Sequence, residues 1–273
     1  MITDSRIDGG KPFDWGKTSQ DYAKYRDIYP QKFYETIHSL GLCTKGQKVL
    51  DLGTGTGVIP RNMYHYGADF TATDISENQI ILARELSKSM NIEYAVSSAE
   101  NLNYPSESFD AVTACQCYFY FTPSVAAHKI AGILKQNGKL AFMYMGWLPN
   151  ESKIAAKSEE LVLKYNPNWT GKGDYRHEIY IADEYLDYFT IDKSIIFDVS
   201  VPFTYESWNG RMKACRGIGA SLDPDRVAEF EKEHLNLLTE LTEDNFTIPH
   251  YCAITVLKKG TDNKPDIADV AKQ

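Results

Sequence analysis

No run of apolar residues in this chain approaches the roughly eighteen that a membrane-spanning helix needs. A membrane location is therefore not expected. Basic residues form no cluster: 29 lysines and arginines stand against 37 acids, a net charge of -8. The cationic footprint of a nucleic-acid binder is missing, so DNA and RNA are disfavoured as partners. Cysteine is sparse. Cys43, Cys115, Cys117, Cys215 and Cys252 are odd in number and include no C-x-x-C pair. That speaks against a disulfide framework and against a zinc or other metal site, and for reduced thiols in a cytoplasmic protein. Residues 1–6 lack the basic-then-apolar order of a signal peptide. There is no internal repeat.

Apolar residues make up 43% of 273 positions, enough for a large core. Their pattern alternates short apolar runs with helical periodicity. Strands are predicted at 47–52, 69–74, 92–97, 109–115 and 139–145. Helices are predicted at 31–40, from the glycine turn to Gly67, from Ser76 and at 123–135. Ser76-Glu77-Asn78-Gln79 reads as a capping box. Ile80, Ile81, Leu82, Leu86 and Met90 follow it as a helical face. This alternation implies a parallel sheet. It then breaks, with helices at 151–165 and 182–189, a strand at 194–201, a helix after Asp223-Pro224 and a last strand at 246–258.

The most telling stretch is Val49-Leu50-Asp51-Leu52-Gly53-Thr54-Gly55-Thr56-Gly57. A second apolar run, Phe70-Thr71-Ala72-Thr73, ends in Asp74. Strand, glycine turn, helix, strand and acid together hold an adenosine-containing cofactor at the sheet's C-terminal edge. A dinucleotide fingerprint, G-x-G-x-x-G, would need glycine at 58, where the chain has Val58. No G-K-[ST] follows, which excludes a P-loop. The register is D-x-G-x-G-x-G, and here the chain resembles motif I of the class I S-adenosylmethionine-dependent methyltransferases. That resemblance implies roles for several residues. Gly53, Gly55 and Gly57 would pass beneath the methionine part of the cofactor. Asp51 would order the loop near its amino group, Asp74 would accept both ribose hydroxyls, and Ile75 would face the adenine.

Further segments extend the resemblance, which is detailed over about 20–145. Ser97-Ser98-Ala99-Glu100-Asn101-Leu102 resembles the family's D-A-E-x-L. Ser98 stands where an acid is expected, so it offers an uncharged acceptor to the adenine. Ala99 keeps the backbone contact, and Glu100 is either a ligand or a loop organiser. Ala114 to Phe121 resembles the S-Q-A-x-H-W-F segment of a subgroup that includes trans-aconitate methyltransferase. Gln116 matches its glutamine, while Phe119 and Tyr120 replace its histidine and tryptophan. The lead-in Asp21-Tyr22-Ala23-Lys24-Tyr25-Arg26 resembles D-Y-x-x-Y-R, which places Tyr25 and Arg26 over the cofactor.

For the acceptor, the candidates are Trp15, Tyr120, Trp169, Tyr175, Trp208 and Arg211, with ordinary core or cap packing as the alternative for each. An arginine fork would suit a carboxylate or phosphate. His177 and His250 are candidate general bases, with a structural role as the alternative. The expected architecture is an α/β, Rossmann-like doubly wound sheet, mostly parallel, with a C-terminal antiparallel hairpin and a helical cap. The expected parts are an N-terminal arm (1–30), a cofactor core (31–146), a cap insertion (147–192), the rest of the core (193–259) and a flexible tail (260–273). The resemblance implies methyl transfer from S-adenosyl-L-methionine to a small-molecule acceptor, leaving S-adenosyl-L-homocysteine. An NAD(P)-dependent dehydrogenase and a non-catalytic cofactor-binding protein are the alternatives. The oligomeric state is unknown from sequence.

Overall fold

A computed structural model describes residues 2–260. The expected tail, Gly260 apart, lies outside the described residues. In chain order the elements are α1 (Ser19–Tyr25), α2 (Gln31–Ser39), β1 (Lys48–Leu52), α3 (Val58–Met63), β2 (Asp69–Asp74), α4 (Glu77–Leu86), β3 (Ile92–Val96) and β4 (Phe109–Cys115). They continue with α5 (Pro123–Ile133), β5 (Leu134–Trp147), α6 (Lys153–Tyr165), α7 (Asp183–Leu186), β6 (Phe189–Phe203), α8 (Tyr205–Lys213), α9 (Pro224–Leu241) and β7 (Phe246–Lys259).

The strands form one sheet in the order β3-β2-β1-β4-β5-β7-β6. The first five run parallel, and β7 is antiparallel to both β5 and β6. This is the expected mostly parallel, doubly wound sheet. β1 is central, and Val49, Leu50 and Leu52 are buried, as a strand covered on both faces requires. Strand order reverses between the adjacent β1 and β4. The crevice beyond their C-terminal ends is therefore the switch point where open α/β sheets take ligands.

Helices cover both faces. Ile37, Ile59 and Met63 pack on one side against Val49 and Ala111, while Ala127 and Ile130 pack on the other against Leu50 and Val112. A third cluster joins α6, α8 and α9 to the ends of the late strands through Val162, Trp208, Phe230 and Ile248. The helical cap thus draws on residues beyond 192 as well as on 147–192.

Several boundaries differ from expectation for physical reasons. β6 is far longer than 194–201 because it pairs with β7 along its whole length. Phe189 joins it, which shortens the predicted 182–189 helix to Asp183–Leu186. β5 starts at Leu134, and Asn137 adopts φ +61° inside it. The two antiparallel strands are joined through α8 and α9 rather than a tight turn. Ser76 precedes α4 but its side chain makes no capping bond. On α4 the buried face is Gln79, Ile80 and Ala83, while Ile81 and Leu86 are exposed.

Candidate functional site

The crevice at the switch point opens into a cavity floored by Gly53 and Gly55. Gly53 has φ +58°, and a Cβ there would fall 2.6 Å from Cys117 Cβ. Both the turn and the close approach of the loop after β4 demand glycine. Asp74 ends β2 at the cavity wall. Its Oδ2 accepts the Gly55 N–H at 2.9 Å and its Oδ1 the Ser76 N–H at 2.8 Å. Burial pushes its carboxyl above the usual range, against the pull of those backbone donors. Beside it Ile75 holds an apolar side chain half in the open, 50% exposed. Ser98, Ala99 and Glu100 complete that wall. Glu100 Oε1 also accepts the Thr122 N–H at 2.8 Å, which fixes the loop to the start of α5.

The roof comes from the N-terminal arm. Tyr22 of α1 and Arg26, which caps its C-terminal end, are four residues apart and share one face, with the Arg26 guanidinium 4.6 Å from the Tyr22 ring centroid. Trp15 meets Tyr22 edge-on. Gln116, after β4, sits at φ +57°, an uncommon conformation for a residue with a side chain. Its Nε2 donates to Met145 O (2.9 Å) and Tyr29 OH (3.0 Å), which locks the amide in place.

A second cavity adjoins the first, and Trp15, Arg26, Gln116 and Tyr120 line both. Its other walls include Tyr144, Trp147, Trp169, Asp174 and Arg211. Asp174 comes from the irregular segment between α6 and α7 and lies over Gly146 of β5. A Cβ at Gly146 would overlap Asp174 Oδ2, so glycine makes the space for this carboxylate. Tyr144 OH donates to Oδ2 at 2.8 Å and Tyr251 OH to Oδ1 at 3.1 Å. His177 Nε2 lies 3.5 Å from Oδ1. Burial and Asp174 hold the Tyr144 hydroxyl well above its usual pKa, so it stays a proton donor. Arg216 closes another side, paired with the buried Asp8 at 2.8 Å and donating to Tyr120 OH at 3.1 Å. These bonds pin the arm across the cavity mouth.

Residues 50–142 match the family model described as a methyltransferase domain. The chain has the class I methyltransferase fold. A Dictyostelium discoideum protein named as a methyltransferase is 26% identical over 210 residues, covering 72% of this chain and 76% of its own. The ubiquinone biosynthesis O-methyltransferase of Alkalilimnicola ehrlichii is 25% identical over 203 residues, covering 73% and 80%. Among solved structures, a Bacillus halodurans protein described as a methyltransferase superposes with a TM-score of 0.52 at 16% identity, covering 84% of this chain and 100% of that one.

Within this methyltransferase fold the sequence-predicted residues fall into separate groups. Arg26, Gly53, Gly55, Asp74, Ile75, Ser98, Ala99, Glu100 and Gln116 line the first cavity. Trp15 and Tyr120 stand at the junction, and Trp169 and Arg211 line the second cavity. The others lie elsewhere. Gly57 turns under the Tyr94 hydroxyl, behind the loop. Tyr25 packs over Gly210 of α8 and donates to Glu206 at 3.0 Å, so it joins the arm to the cap while Tyr22 faces the cavity. Trp208 is wholly buried, its Nε1 donating to Ser158 Oγ at 2.9 Å. Tyr175 is 65% exposed, outside both cavities.

His250 is a core residue. Its Nδ1 donates to Ile248 O at 2.9 Å, and burial pushes its pKa down to about 4. His177 stands behind Asp174, away from the cavity lining. Sequence reading missed Asp174 and Tyr144. No local pattern marks them, because a loop brings them together across the end of β5.

Asp51 lies behind the glycine loop, 1% exposed, and Thr113 Oγ1 donates to its Oδ1 at 2.6 Å. Burial raises its pKa to about 7. The unfolded carboxyl ionises near 4. Between about 4 and 7 the native state therefore holds the extra proton, and stability falls as pH rises through that window. Asp51→Asn keeps an acceptor for Thr113 but removes the titration. Thermal unfolding across pH 4–8 should show a flatter profile for the variant and, at pH 8, a gain of roughly 1–2 kcal/mol. An unchanged pH slope would count against the burial argument.

Proposed function

We propose that this chain transfers a methyl group from S-adenosyl-L-methionine to a small organic acceptor, leaving S-adenosyl-L-homocysteine. The observation that carries the reading is the junction of two cavities at Trp15, Arg26, Gln116 and Tyr120, one floored by the glycine turn and walled by Asp74. The residues fit the cofactor. Asp74 offers a fixed carboxylate for a vicinal diol, Ile75 an exposed apolar face for the adenine ring, and Arg26 a cation for the methionine carboxylate. When bound, the cofactor supplies an electrophilic methyl on a sulfonium.

The chain's own residues do the rest. Trp15 and Tyr120 exclude water at the junction, with Tyr22 beside them in the first cavity, and their aromatic faces suit a cationic sulfur. Gln116, whose Nε2 is held by two bonds, sets the alignment of the groups that meet there. Asp174, held by two tyrosine hydroxyls, accepts the proton that an acceptor O–H or N–H loses. The O-methyltransferases among the relatives support oxygen as the attacking atom. Five free thiols suit a reducing compartment, and a cytoplasmic location is part of the proposal.

The test is incubation with S-adenosyl-L-methionine and a panel of small phenols, alcohols and amines, followed by mass spectrometry. Release of S-adenosyl-L-homocysteine matched by a methylated acceptor is expected. Cofactor binding without turnover across the panel would favour the non-catalytic reading.

A further inference from the structure

Three arginines line the second cavity, and they are not equivalent. Arg216 is neutralised by Asp8. Arg26 also faces the cofactor cavity, rests on Tyr22 and donates to Gln116 Oε1 at 3.4 Å. Arg211 of α8 lines the second cavity but not the first. It is only 3% exposed, and its Nε and Nη1 have no hydrogen-bond partner among the described residues. Its guanidinium lies 4.8 Å from the Trp147 ring centroid. Asp174, the carboxylate of this cavity, is engaged by Tyr144 and Tyr251 instead.

A buried cation with unused donors is costly, and one cation–π contact offsets only part of that cost. Burial, then the nearby Arg26 charge, push the Arg211 pKa down to about 9, which registers the same missing counter-charge. A guanidinium still charged at neutral pH, held over an indole and lining a cavity, is a receptor for an oxyanion. We propose that the acceptor carries an oxyanion, a carboxylate or a phosphate ester, that seats on Arg211 while its nucleophilic O–H or N–H faces Asp174. This rests on the methyl-transfer reading and names the substrate class for it.

The experiment uses benzoate, phenyl phosphate and the neutral benzamide as probes. Binding is followed by tryptophan fluorescence, with Trp147 beside the site, in protein saturated with S-adenosyl-L-homocysteine. Wild type, Arg211→Gln and Arg211→Lys are compared. Wild type should prefer an acid over benzamide by at least about tenfold, as expected for a charge-assisted pair. Arg211→Gln should lose the preference and Arg211→Lys should keep part of it. The acid that binds more tightly identifies the carboxylate or the phosphate. Equal response to acids and amide, including none to either, overturns the inference, as does a preference that survives in Arg211→Gln. A purely structural Arg211 would instead show a lowered unfolding midpoint in Arg211→Gln. Failure of S-adenosyl-L-homocysteine to bind wild type counts against the methyl-transfer reading. The acid preference is then measured on the protein alone and still decides the role of Arg211.

Discussion

Asp174→Asn will lower methyl-transfer turnover by about 10²–10⁴-fold, the usual contribution of a positioned base. Asparagine keeps the shape, and its single oxygen can still accept from one of the two tyrosines, Tyr144 and Tyr251, whose bonds to Asp174 are 2.8 and 3.1 Å, while its Nδ2 donates to the other hydroxyl. It cannot take a proton from the acceptor. The loss should appear in kcat, with affinity for S-adenosyl-L-homocysteine unchanged, because Asp174 lines only the acceptor cavity. Gly146→Ala should act in the same direction, since its new Cβ would displace the Asp174 carboxylate. Steady-state release of S-adenosyl-L-homocysteine with a working acceptor measures both. Turnover retained in Asp174→Asn would remove the base from the mechanism and leave alignment alone as the source of rate.

Asp74→Ala will weaken cofactor binding by roughly 10²–10³-fold. Two hydrogen bonds from a ribose diol to a charged acceptor are together worth about 3–4 kcal/mol. The same change frees the Gly55 N–H, which Asp74 Oδ2 now accepts, so the glycine turn also loses its tie to β2. Calorimetry with S-adenosyl-L-homocysteine measures the loss, and the unfolding midpoint of the variant separates it from a folding defect. An affinity equal to wild type would show that Asp74 only organises the loop.

The frame around Asp74 was legible because it is local. Three glycines and two apolar runs lie within one strand–turn–strand unit, and positive φ at Gly53 leaves few other residues possible. The sequence pointed to Tyr25, whereas it is Tyr22 that lines the cavity. Both belong to the same short motif, and only the helical phase of α1, with Tyr22 and Arg26 four residues apart, says which one looks inward. His250 shows a different limit. It looked available in sequence, yet β7 lies between β5 and β6, and that interior position buries it without a role at the site. Trp208 is similar, an aromatic whose burial depends on how α6, α8 and α9 meet. Asp174 depended wholly on tertiary structure. Its carboxylate is placed by a glycine and two tyrosines from strands remote in sequence.

The most direct test of the central claim is calorimetric titration of the protein with S-adenosyl-L-homocysteine, S-adenosyl-L-methionine and NAD. The third glycine at Gly57 rather than at Val58, with Asp74 fixed beside the turn, predicts binding of the two adenosyl ligands at about micromolar Kd and no heat with NAD. Binding of NAD alone, or no heat with either adenosyl ligand in folded protein, would contradict the account.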